Sequence, residues 1–298
     1  MLGRRLVSAT VIISALLLLL YFDFQLGTDE WLGRPGIIIS ILCLVIGAIA
    51  SEELLYMLRQ RTPSLQTFVP TVAVLIMVVC SCLPVLWKDY PSNCPVGLFG
   101  WGLLGVTAAF GICCLLEIFR FQPDGESLDR LSRYGFAIVY LGILVTFIVA
   151  NRLLYFDNAK GMLALIALIA TVKMSDAWAY FVGKLFGKTK LSPTLSPGKT
   201  IEGAVGSVLG AWLAGIIVFY LVGPYLFKLE FPKPWWWVAI YGVAVTIAGI
   251  VGDLTESLIK RDSNCKDSSK WLPGLGGILD VVDSLVFAAP ISFFMWLV

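Results

Sequence analysis

Nine long apolar runs constrain this chain more than any motif does. They lie near residues 6–22, 36–51, 68–87, 96–119, 134–154, 161–182, 201–227, 235–259 and 277–298. A helix needs about 20 apolar residues to cross a hydrocarbon core about 30 Å thick. Inside that core every backbone N–H and C=O must be paired, and a helix pairs them within its own segment. Only 14% of the residues are charged, against about 25% in soluble domains, so the solvent for most of this surface is lipid. The expectation is an all-α polytopic membrane protein of about nine transmembrane helices, without a soluble domain. Arg4 and Arg5 ahead of the first run look like the start of a signal peptide. No small-x-small cleavage site follows before Asp23, so the run reads as a retained helix.

The charges between the runs orient the chain. With the N-terminus inside, the outside loops hold Arg34, Lys88, Arg152, Lys160, Lys228 and Lys233, and the other 16 of the 22 lysines and arginines fall inside, Lys173 being assigned to that side. Such an excess of basic residues marks the cytoplasmic face, so the expected topology is N-terminus cytoplasmic and C-terminus outside. Residues 1–160 read as a scaffold of N-terminal helices. Residues 161–298 read as the catalytic region, with inside loops 183–200 and 260–276.

No histidine is present, which removes the usual general base and transition-metal ligand. Seven cysteines occur without a C-x-x-C pair, so neither zinc nor a disulfide framework is indicated. What remains is carboxylates, lysines, arginines and hydroxyls. Three groups of these interrupt the apolar runs, where ionisable residues are costly and point to function. Lys173, Asp176 and Tyr180 share one face of the sixth span, with Ser175 beside Asp176. Asp253, Glu256, Ser257 and Lys260 form one stripe at the end of the eighth. Asp280, Asp283 and Ser284 face one way at the start of the ninth, just after Gly276 and Gly277. Carboxylates flanking a lysine-rich loop suit a hard cation such as Mg²⁺, which keeps positions open for phosphate oxygens. The residues therefore point to Mg²⁺-dependent phosphoryl or nucleotidyl transfer at the membrane surface. Two P-loop look-alikes, Gly183–Thr189 and Ser196–Thr200, fail on spacing and context.

Two longer stretches carry a resemblance. Ser257–Asp283 reads SLIKRDSNCKDSSKWLPGLGGILDVVD, and Ser175–Gly203 reads SDAWAYFVGKLFGKTKLSPTLSPGKTIEG. Both resemble signatures of the phosphatidate cytidylyltransferases, or CDP-diacylglycerol synthases, strongly over about residues 170–290. The resemblance implies transfer of CMP from CTP to phosphatidate, giving CDP-diacylglycerol and pyrophosphate. It implies Asp253, Asp280 and Asp283 as ligands of Mg²⁺, with room for a second cation, and Lys266 and Asp267 as further catalytic residues. Lys199, Ser196, Lys188, Ser257, Lys260, Arg261 and Asp176 would bind substrate. Leu275 and Val281 stand where the family often has His and Arg. The phosphate nucleophile is already anionic, so the reaction needs charge neutralisation and positioning rather than a general base. The partners implied are CTP, phosphatidate and the surrounding lipid, with no nucleic acid; a homodimer is compatible with this reading. The implied location is a bacterial inner membrane, with the site facing the cytoplasm. A CTP-dependent polyprenol or lipid kinase and a secondary transporter of an anionic solute are the alternatives.

Overall fold

The computed structural model describes all residues except 1, 29–32, 88–89, 92, 124, 232, 270 and 273–275, and describes residues 2–7 and 9 by backbone alone. Leu275 lies outside the described residues. Among those described, nine helices are long and apolar enough to cross a membrane. They are α1 (Leu2–Thr28), α2 (Ile37–Arg59), α3 (Phe68–Leu86), α4 (Gly97–Phe119), α5 (Ser127–Arg152), α6 (Asn158–Phe186), α7 (Ile201–Phe227), α8 (Trp235–Asp262) and α9 (Ile278–Leu297). The protein is therefore an all-α, multi-pass integral membrane protein. Several helices outrun their apolar cores: α8 continues past residue 259 through Lys260, Arg261 and Asp262. Long polar side chains near a span's end can reach the interface, so the helix need not stop where hydrophobicity does. A two-stranded antiparallel hairpin, β1 (Lys190–Ser192) and β2 (Ser196–Thr200), fills most of the loop between α6 and α7.

The chain forms two compact units. The first holds residues 1–150 and 259–281. Here Asp23 of α1 is fully buried, and its carboxylate accepts from the backbone N–H groups of Gly36, Ile38 and Ile39 at 2.9–3.2 Å. A carboxylate on the orphan amides at a helix start satisfies donors that lipid cannot. Small residues let the helices close up: a Cβ on Gly105 would stand 2.9 Å from the Met77 carbonyl oxygen. With no hydrophobic drive between helices in lipid, such close van der Waals contact supplies the packing energy.

The second unit holds residues 151–258 and 282–298. It is built on the α6–α7 pair. Gly203, Gly206 and Gly210 of α7 lie directly against Ala179, Val182 and the Met174–Trp178 turn of α6. An aromatic cluster of Phe219, Phe231, Trp237, Tyr241 and Trp296 packs α7, α8 and α9 together at the far end, with ring centroids 4.3–6.2 Å apart. Asn151 donates to the Ala289 carbonyl at 3.0 Å and accepts from Ser292 at 3.2 Å, joining the unit's first residue to α9.

Candidate active site

The second unit gathers Asp253 and Glu256 of α8 with Asp283 of α9. Asp253 and Glu256 lie almost one turn apart on α8, and Asp283 lies in the second turn of α9. One carboxylate oxygen from each falls within 4.8 Å of the others. Glu256 is 1% exposed and Asp283 5%, so two of the three acids are withdrawn from bulk solvent. Gly252 allows this convergence, because a Cβ there would run into the Asp283 carbonyl oxygen. Any larger residue would push α8 and α9 apart at the turn that carries the acids.

Around the three carboxylates stand further charges. Lys199 Nζ is 2.6 Å from Asp253 Oδ2. Ser284 Oγ lies 3.0 Å from Asp283 Oδ1 and 3.5 Å from Asp176 Oδ2, so its single proton lies between two acids. Lys173 Nζ is 3.6 Å from Asp176. Within this group four acids, Asp176, Asp253, Glu256 and Asp283, stand with two lysines, Lys173 and Lys199, an excess of two acidic groups. An all-oxygen donor set with that excess fits a hard divalent cation. The same set would hold a soft thiophilic metal poorly.

The hairpin explains how Lys199 comes to this place. Strand pairing sets Lys190 opposite Thr200 and Ser192 opposite Ser196, leaving Lys199 two residues before the start of α7. Thr200 caps α7, its Oγ1 accepting from Gly203 N at 3.1 Å. Glu202 accepts from Thr189 N at 3.1 and 3.2 Å and ties the hairpin's base to the same helix start. Gly183 and Gly187 make room for Thr200, and a Cβ on Gly187 would collide with the Gly183 carbonyl. The Ser-Pro and Gly-Lys-Thr pattern thus encodes a held structure rather than a slack link.

The first unit holds a different group. Asp280 Oδ1 accepts from Lys260 Nζ at 2.7 Å. Its Oδ2 accepts from Ser268 N at 3.0 Å, Ser268 Oγ at 2.6 Å and Gly277 N at 2.7 Å. Glu53 of α2, 4% exposed, accepts from Ser269 Oγ at 2.6 Å, Ser268 Oγ at 3.1 Å, Ile278 N at 3.1 Å and Leu279 N at 2.9 Å. Ser268 therefore sits between two carboxylates, and α9 begins on a buried acid. Gly277 fits because a Cβ would meet Ser268 and both Glu53 oxygens. Gly276, at φ +93°, adopts the left-handed backbone that glycine tolerates and pairs with Leu272 to close the loop.

The remaining expected residues distribute as follows. Ser257 is buried, one residue after Glu256. Ser196 is half-buried at the start of β2. Lys188, Arg261, Lys266 and Asp267 are exposed, and Val281 is half-buried in the first turn of α9. Asp253, Asp283, Lys199 and Asp176 come together in one unit, and Asp280 with Lys260 in the other. Two residues carry more of the geometry than the sequence reading allots them. Glu256 shares the stripe of Asp253 yet has no role there. Glu53 closes an apolar run with Glu52, and that acidic pair at the end of a span is the one signal that points to it.

Fold and site together describe a membrane-embedded protein with carboxylates and lysines gathered among its spans. A profile described as the Cytidylyltransferase family matches residues 4–298, and the chain belongs to that family, whose members are nucleotidyltransferases. It is 32% identical to the phosphatidate cytidylyltransferase of Chlamydia pneumoniae over 99% of this chain and 92% of that one. It is 30% identical to that of Bacillus subtilis over 86% and 87%, and 37% identical to that of Haemophilus influenzae over 66% and 68%.

Proposed function

We propose that this protein is a phosphatidate cytidylyltransferase, making CDP-diacylglycerol and pyrophosphate from CTP and phosphatidate. The observation that carries the reading is the convergence of Asp253, Glu256 and Asp283 within 4.8 Å beside Lys199, in a chain similar to named phosphatidate cytidylyltransferases along nearly its whole length. Asp253, Glu256 and Asp283 would hold Mg²⁺, and Asp280, in the other unit, would be a further acid that the reaction needs. A bound Mg²⁺ would neutralise phosphate charge and polarise the α-phosphorus.

The chain's own residues then have defined tasks. Lys199, Lys260 and Arg261 balance the negative charge of the triphosphate and of the attacking lipid phosphate, with Lys188, Lys266 and Ser196 in support. The lysine already at Asp253 and the one at Asp280 mark where positive charge is stabilised before substrate arrives. Ser257 would bind substrate from within α8, and Asp267 would assist the reaction from the loop that follows. The lipid phosphate oxygen forms a bond to the α-phosphorus as the bond to pyrophosphate breaks. No proton need be removed, which agrees with the lack of histidine. The site faces the cytoplasm, where CTP is, and the N-terminus lies on the same side.

Reconstitution with phosphatidate, Mg²⁺ and labelled CTP tests this. The expected products are CDP-diacylglycerol and pyrophosphate, with Asp280→Asn and Asp283→Asn folded but inactive. Release of CDP with a phosphorylated lipid would instead mean a kinase. Near wild-type turnover by both variants would remove the metal assignment.

A further inference from the structure

Lys173 is a charged residue inside a span that the reaction above does not use. It stands 15 residues after Asn158 and 13 before Phe186, near the middle of α6. At 1.5 Å per residue the nearer helix end is about 20 Å away, far beyond a lysine stem, so snorkelling does not account for it. Yet its side chain is 42% exposed and that of its partner Asp176 43%. Charged groups at that depth face the bundle interior or a water-filled cavity rather than lipid. The pair's 3.6 Å separation is loose for a locked structural bridge. Through Asp176 and Ser284 it is linked to Asp283 by three successive contacts.

Position decides which phosphate it meets. The basic loop follows Phe186 at the end of α6, and Lys173 lies 13 residues, about 20 Å, along the helix from that loop. The loop lysines serve the triphosphate, which enters with the aqueous substrate. A cation that far inside a span suits the substrate that is itself anchored in the membrane. Resting on the cytidylyltransferase reading, we propose that Lys173 is a binding residue for the phosphate of the lipid acceptor, handed over from Asp176 when that lipid arrives.

The experiment is steady-state kinetics in mixed micelles, varying phosphatidate and CTP separately. Lys173→Met should raise KM for phosphatidate about 10-fold, the loss expected of one charge-assisted contact, and leave KM for CTP within about twofold. Lys173→Arg should stay near wild type. The double variant Lys173→Met/Asp176→Asn separates this role from a structural ion pair. A pair that merely neutralises itself would recover wild-type phosphatidate KM when both charges are removed, and that recovery would overturn the proposal. So would an unchanged phosphatidate KM, or a rise confined to CTP. Should Lys173→Met not survive extraction folded, amine acetylation of the wild-type protein read by mass spectrometry decides. Phosphatidate vesicles, and not CTP, should protect Lys173; equal protection by both, or none, rejects the idea. If wild-type protein forms no CDP-lipid from phosphatidate, the functional reading itself fails and takes this inference with it.

Discussion

At the scale of single residues, the proposed role of the acidic cluster carries a consequence for stability. Asp176, Asp253, Glu256 and Asp283 repel one another, and Lys173 and Lys199 offset only part of that repulsion. Neutralising one acid should therefore stabilise the resting protein while removing activity, the usual relation at a charged site. Asp283→Asn is expected to raise the midpoint of thermal unfolding in detergent, by an amount worth about 1 kcal/mol. Mg²⁺ should raise the midpoint of the wild type and do little for the variant. Equal response of both to Mg²⁺ would show that Asp283 holds no cation. Gly277 makes the second point at this scale. An added methyl would meet Ser268 and both oxygens of Glu53, so Gly277→Ala should cost most of the activity although alanine is a good helix former. Full activity in that variant would mean the loop can shift without consequence.

At the scale of elements, two loops are held by acids rather than by packing. Glu53 accepts from two serine hydroxyls and two amides at the start of α9. Its charge is favourable there because the helix dipole is positive at that end. Glu53→Gln keeps the shape but turns two acceptors into one acceptor and one donor. It should lower stability by roughly 1–3 kcal/mol, the cost of leaving a buried donor unsatisfied, measured by thermal unfolding. Glu53→Ala should lose more. If neither changes stability or activity, Glu53 does not order this loop. The hairpin end of α7 depends on Thr200, whose side chain caps Gly203 N at 3.1 Å. Thr200→Val keeps the bulk and loses the cap, at about 1 kcal/mol. Its clearer effect should be weaker binding of CTP, since Lys199 precedes it directly.

For the whole molecule, the testable statement is orientation. Cys94 lies between α3 and α4 and Cys265 between α8 and α9, neither fully buried. With the N-terminus inside, a membrane-impermeant maleimide should label Cys94 on intact cells and Cys265 only after permeabilisation. The reverse pattern would invert the topology and move the proposed site to the wrong face for CTP. Cys94 has its own signature. The Tyr90 hydroxyl hydrogen-bonds to its sulfur and holds the thiol below the usual cysteine range. Since the thiolate is the reactive form, Cys94 should label faster at neutral pH than an ordinary thiol. Tyr90→Phe should slow it and shift the pH profile upward.

Much of this was legible from residue order alone, for physical reasons. Lipid admits few folds, so nine apolar runs dictate nine helices, and an acid in such a run must have a purpose. Asp253, Asp283 and Lys199 could be picked out because nothing apolar explains them. Residue order could not say which acids share oxygens with which. Asp280 and Asp283 are three apart on one helix, yet one sits among Ser268, Gly277 and Lys260 and the other with Asp253 and Glu256. Nor could it show that Glu53, more than 200 residues away, would seat the start of α9. Helical periodicity relates neighbours a turn apart, whereas partnerships across hundreds of residues arise only when packed helices bring their ends together. Sequence chose the solvent, the spans and the chemistry; tertiary structure chose the partners.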